Sequence, residues 1–223
     1  MPMHPASHHP VIHTRRNTSR EVDDGPANFP TLEAAREAAR TCRRCPLWHD
    51  ATQTVFGEGP DHAAVVFIGE QPGDQEDLVG KPFVGPAGRV FDEVLDEAEI
   101  DRAKVYVTNA VKHFKFEPRG KRRLHKKPNA GEIRACRGWL ETELSLTAPK
   151  LAVALGATAA QALLGKAVAV TKLRGRTVER EDGLRVFVTV HPSFILRIPD
   201  EADKQAERAR FLADLQAVKR LLA

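Results

Sequence analysis

From residue 64 onward the chain alternates between two hydrophobic patterns. Residues 64–68 form a short, wholly apolar run rich in β-branched side chains, which suits a strand buried on both faces. Residues 105–111, 151–155 and 185–190 predict three more strands. Between and after them, apolar residues recur at helical spacing. Val90, Phe91, Val94 and Leu95 mark an amphipathic helix over 87–98. Asn129, with Glu132 three positions on, reads as the start of a helix over 129–144. Further helices are expected over 156–164 and 201–222, and an Ala-rich one over 31–42 starts at Thr31. Strands alternating with helices predict an α/β fold. The expected form is a three-layer α/β/α sandwich around a central, mainly parallel four-stranded sheet.

The first 28 residues break the pattern. They hold few large apolar residues, four histidines (His4, His8, His9 and His13) and three prolines before Pro26. They read as a disordered tail ahead of a single domain over 29–223. The chain of 223 residues is 42% hydrophobic, enough for a real core. No apolar run approaches the ~18 residues that span a membrane, and no secretory signal pattern is present. A cytoplasmic monomer with no membrane partner is expected.

In sheets of this type ligands bind beyond the carboxyl ends of the strands. Those ends fall at residues 70–74, 109–113, 156–158 and 191–193. The first loop carries Glu70, Gln71 and Asp74, then a glycine-rich segment holding Phe83. Glycines let backbone amides approach a ligand, and the helix that follows offers free N–H groups to an anion. Phe83 suits a planar stacking surface, although it equally suits a core. Asn109 carries both donors and an acceptor, matching the edge of a nucleobase, although asparagine alone is commoner as a turn former. His191 suits donation to charge developing on a substrate. Phe194, Ile195 and Leu196 beyond it suit either a wedge into stacked bases or a buried turn.

Charge sharpens this picture. The net charge is only +4, so the basicity is local. Lys112, Lys115, Arg119, Lys121, Arg122, Arg123, Lys126 and Lys127 crowd around one acid, Glu117, with His125 inside the run. Such a run grips a polyanion or lies solvated. Cys42 and Cys45 form a Cys-x-x-Cys pair, and Cys136 lies on a predicted helix. A redox pair is disfavoured because the pair precedes the first strand. Zinc with His113 as fourth ligand and an iron–sulfur cluster both remain open on spacing alone.

Taken together, these segments resemble the uracil-DNA glycosylase superfamily over most of residues 42–222. Gly-Glu-x-Pro-Gly from Gly69, with Pro-Phe-Val-Gly-x-Ala-Gly from Pro82, is similar to the first motif and stacking loop of its family 4, iron–sulfur members. Thr108-Asn109-x-Val111-Lys112 resembles their base-reading strand, and His191-Pro192-Ser193 their DNA wedge. Gln71 in place of alanine and the inserted Lys121-Arg122-Arg123-Leu124-His125 segment are similar to the X-type branch. The resemblance implies excision of uracil, preferentially from single-stranded DNA, followed by covalent attachment through His125. It also implies that Phe83 stacks on uracil, Asn109 reads its edge and His191 stabilises the departing anion. Glu70, Gln71 and Asp74 would shape the sugar pocket, with Gln71 also touching uracil. Lys121, Arg122, Arg123, Lys126, Ser193 and Arg197 would hold DNA. A 4Fe–4S cluster would sit on Cys42, Cys45 and Cys136, with His113 where family 4 has its remaining cysteine.

The chemistry expected at His125 follows from its charge state. Neutral imidazole is nucleophilic, and the surrounding cations should lower its pKa and keep it neutral. Glu70 is expected to orient the ring. The competing readings are an ordinary multiple-turnover family 4 glycosylase, with His125 a phosphate contact, and a non-enzymatic, metal-bearing nucleic-acid binder.

Overall fold

The computed structural model describes residues 28–223, so the expected tail lies almost wholly outside the described residues. The strands in chain order are β1 (Val65–Gly69), β2 (Tyr106–Asn109), β3 (Phe116–Arg119), β4 (Arg122–His125), β5 (Leu151–Leu155), β6 (Arg176–Glu179) and β7 (Arg185–Thr189). The α-helices are α1 (Leu32–Ala39), α2 (Asp74–Val79), α3 (Pro86–Glu97), α4 (Ala130–Thr147), α5 (Ala157–Leu164), α6 (Val170–Leu173), α7 (Pro192–Leu196) and α8 (Glu201–Leu222).

The central sheet has the order β2-β1-β5-β7-β6. The four predicted strands are its parallel members. A fifth strand, β6, pairs antiparallel with β7 at one edge. Its sequence, Arg-Thr-Val-Glu, is short and polar, because an edge strand need not bury both faces. Alternate side chains of the parallel strands enter opposite cores. Val66, Ile68, Ala152, Ala154 and Val188 pack with α1, α4 and α5. Phe67, Val107, Val153, Leu155 and Phe187 pack with α3, α7 and α8. The sandwich is therefore three-layered, as the pattern predicts.

Two further differences bear on function. The basic run folds into an antiparallel hairpin, β3–β4, outside the main sheet. The expected 70–86 loop contains α2, and 191–196 contains α7; helices of six and five residues are too short to show a period. β1 lies between β2 and β5, so the chain leaves it to one side and later returns to the other. That switch point is where such sheets open a crevice. Among the described residues, no helix is long and apolar enough to cross a membrane.

Candidate active site

One wall of the crevice is built from the sheet itself. Gly69 closes β1, and a Cβ there would meet Asn109 Oδ1 at 2.3 Å and the Phe83 ring at 2.9 Å. Only glycine lets those two side chains converge. Asn109 ends β2 and is buried. Ala110 N–H donates to Gly69 O and Val111 N–H to Glu70 O, lacing the two strand ends together. Beneath them Lys112 Nζ donates to Asn109 O at 2.7 Å, Thr108 Oγ1 at 2.6 Å and Glu143 Oε2 at 2.5 Å. Lys112 is 0% exposed. It is not one of the DNA-facing cations expected of the basic run, since a buried ammonium needs a buried carboxylate.

Phe83 has φ +59, a left-handed conformation rare for a bulky residue. Its loop is held from both sides. Gly85 N–H donates to Glu76 Oε1 at 2.9 Å. A Cβ at Gly88 would stand 1.7 Å from Phe83 O, so glycine alone fits there. The ring packs on Phe91 at 5.1 Å and lies 6.0 Å from His191. Strain kept in place by its surroundings marks a functional position. The Gly85 amide is thus occupied by Glu76 rather than free for an anion.

His191 caps α7. Ser193 N–H donates to His191 Nδ1 at 3.1 Å, so that nitrogen carries no proton and neutral imidazole carries it on Nε2. Burial first, then Arg197 and His125, push the pKa of His191 down to about 4. Arg197 Nη1 in turn donates to Ser193 Oγ at 3.2 Å. Of the expected wedge, Ile195 is buried in the core while Phe194 and Leu196 are exposed. A chamber of about 310 Å³ lies between Asp74, Phe83, Asn109, His125 and His191.

The other wall is the hairpin. His125 ends β4 opposite Phe116. Gln71 spans the open end of the hairpin: its Nε2 donates to Lys115 O at 3.1 Å and Lys126 O at 3.0 Å, and its Oε1 accepts from Lys115 N at 3.1 Å. Arg123 donates to Asp74 and Asp77, each at 2.6 Å, and stacks over Phe114 and Phe116. Expected to hold DNA, Arg123 instead pins the hairpin to α2. Lys126 pairs with Glu117 at 2.7 Å and Lys115 with Glu132 at 2.9 Å. Lys121 and Arg122 are exposed and form no ion pair among the described residues.

His125 Nε2 stands 3.4 Å from Glu70 Oε1. The other Glu70 oxygen accepts from Thr158 Oγ1 across the switch point. Partial burial lowers the pKa of His125; Glu70 opposes that shift and Arg197 adds to it. The expected direction holds, but its cause differs. The main cause is burial, and the contributing cation comes from the end of α7 rather than from the hairpin. The sequence marks Lys112 only as one cation of the basic run and part of a strand motif, and it marks neither Glu143, Glu76 nor the Thr158 contact, because each is one polar residue that gains meaning only from its partner.

Cys42, Cys45 and Cys136 are free thiols. Burial raises the pKa of Cys45 and takes that of Cys136 up to about 12. Trp139 Nε1–H points at Cys42 Sγ at 3.1 Å and Lys112 N–H at Cys136 Sγ at 3.2 Å. His113 Nδ1 is buried without a hydrogen-bond partner, while its Nε2 meets Thr54 Oγ1 at 3.1 Å. An orphaned imidazole nitrogen suits a metal ligand. No three His, Cys, Asp or Glu residues stand close enough to hold a single ion among the described residues.

Comparison with known proteins agrees with this geometry. A family model described as the uracil DNA glycosylase superfamily matches residues 56–216. The chain is 40% identical over 167 residues to a type-4 uracil-DNA glycosylase of Thermotoga maritima, covering 74% of this chain and 83% of that protein. It is 34% identical over 178 residues to the type-4 enzyme of Sulfurisphaera tokodaii, covering 76% and 78%. A type-5 uracil-DNA glycosylase of Pyrobaculum aerophilum is 29% identical over 185 residues, covering 75% and 77%.

Proposed function

The chain belongs to the uracil-DNA glycosylase superfamily, and we propose that it excises uracil from single-stranded DNA and then bonds to the abasic sugar through His125. Uracil enters the smaller chamber, where Phe83 stacks on it and Asn109 reads its edge. A single strand is preferred because no pairing has to be broken to turn the base out. The C1′–N1 bond breaks and its electron pair leaves with uracil. His191, neutral and protonated on Nε2, donates to the developing oxyanion. A lone pair of His125 forms the new bond to C1′. The imidazolium so made passes its remaining N–H proton to the departing uracil anion, directly or through Glu70.

The observation that carries this reading is the position of His125. It lines the chamber opposite His191 and stands 3.4 Å from Glu70. Catalytic contacts are commonly loose before substrate binds. Its lowered pKa keeps the attacking form populated at neutral pH. A nucleophile held at the reacting carbon outcompetes water through proximity. Cys42, Cys45, Cys136 and His113 would hold a 4Fe–4S cluster. When bound, the cluster would staple together the segments that carry these ligands.

The test is a denaturing gel of the protein with a uracil-containing single-stranded oligonucleotide. A band shift that survives heat and detergent is expected, and it should vanish in His125→Ala while free abasic DNA appears. Free abasic DNA from the wild type, without a shift, would leave ordinary turnover in place of attachment. Intact DNA would reduce the protein to a binder.

A further inference from the structure

A second chamber of about 480 Å³ opens on the far side of His125 and Glu70. It shares Gln71, His125, His191 and Ser193 with the uracil chamber, so the two meet at the nucleophile. Its volume falls in the roughly 300–1,000 Å³ range of small-molecule sites. Beyond Glu70 and the residues it shares with the uracil chamber, the reaction described above leaves it unused. We propose that this chamber binds the nucleobase adjacent to uracil on the same strand, a reading that rests on the glycosylase function.

Two features select a base over a phosphate. Much of the accessible wall is apolar, supplied by Val170, Val190 and the exposed ring of Phe194. Flat apolar walls suit a heterocycle. One of the three arginines that line it is already neutralised. Arg174 donates to Glu207 at 2.5 Å and to Asp214 at 2.8 Å, so an entering phosphate would meet Glu70 and Glu207 as well as cations. Arg197 and Arg210 line the same chamber and are exposed, which suits contact with the phosphates that connect the two nucleotides.

Continuity gives the occupant. A strand that places uracil against Phe83 must pass its next nucleotide by His125, and this chamber lies on the other side of that residue. Filling it would also fix the sugar of the uridine relative to His125.

The experiment measures single-turnover excision and affinity on short single strands. The nucleotide on either side of uracil is thymidine or a baseless tetrahydrofuran. Thr171→Trp fills the chamber from an exposed helical position outside the catalytic machinery. On one side of uracil, removing the base should slow wild-type excision roughly ten-fold, the scale of one lost stacking contact. Thr171→Trp should start slow on the intact strand and lose its response to the missing base. Equal rates on thymidine and tetrahydrofuran substrates, on both sides, would overturn the proposal while leaving uracil excision standing. If the wild type binds these strands but excises nothing, the glycosylase reading fails instead. The chamber is then judged by affinity: a loss with the baseless neighbour supports it, and no loss overturns it.

Discussion

At one end of the basic run Lys112 is wholly buried, its ammonium held by Glu143, Thr108 and the Asn109 carbonyl. Nine and ten residues on, Lys121 and Arg122 stand exposed at the hairpin tip without an ion pair among the described residues. The next residue, Arg123, faces inward onto Asp74 and Asp77. Charge density along a sequence says how many cations are close together but not what each one faces. The base-reading wall, fed by Lys112, is part of the sheet and its core. The wall that carries His125 is an added hairpin, attached chiefly through Gln71 and Arg123. The first should fail only with the fold, and the second should fail on its own.

The largest expected effect is at the buried end. Glu143→Ala leaves Lys112 charged and unpaired, which should cost about 3–5 kcal/mol of stability. Urea unfolding measures it, and a loss no larger than that of a surface substitution would show that the pair does not support the wall. Gln71→Ala comes next and acts chiefly through the hairpin, whose open end Gln71 spans. Misplacing His125 by about 1 Å should reduce covalent attachment by roughly 10²-fold. Uracil excision should persist, with free abasic DNA appearing as water takes the place of the histidine. Equal loss of excision and attachment would put Gln71 in the base pocket instead.

The pH profile is a finer probe. Attachment needs neutral His125, whose pKa lies below the ordinary 6.5. The rate should therefore stay level as pH falls through 6.5 and drop only below it. Glu70, and more weakly Glu76, hold that pKa up, and Arg197 holds it down. Glu70→Gln should move the acid midpoint lower and Arg197→Ala should move it higher. Folding follows the same sign. The unfolded chain takes up protons near 6.5, whereas folded His191 does so only near 4. Stability from these histidines is lost as pH falls across that window. The smallest effect is at the exposed tip. Lys121→Ala or Arg122→Ala should leave stability unchanged, and each should flatten the salt dependence of single-strand binding by about 0.7 in log–log slope.

The layers of the fold were readable because buried parallel strands are continuous apolar runs and their helices keep a 3.6-residue period. The polar edge strand β6 and the short helices α2 and α7 lack both signals. Glu70, Asn109 and His191 were readable for a different reason, since a doubly wound sheet gathers its strand ends in one place; Phe83 and His125 were placed through the family resemblance. Glu70, Phe83, Asn109, His125 and His191 do converge there. Partners were not readable. Nothing in the sequence marks Lys112 as buried, Arg123 as a clamp, or Thr158 as the residue that holds Glu70. Those facts depend on distances set by chain segments dozens of residues apart.

The most direct measurement locates the bond itself. The protein is incubated with a uracil-containing single strand, treated with nuclease, and cleaved by a protease that spares Lys and Arg. Fragment mass spectrometry should then find one abasic deoxyribose remnant on His125. A remnant on a lysine, or an unmodified His125 peptide beside quantitatively excised uracil, would contradict the assignment of His125 as the attacking group.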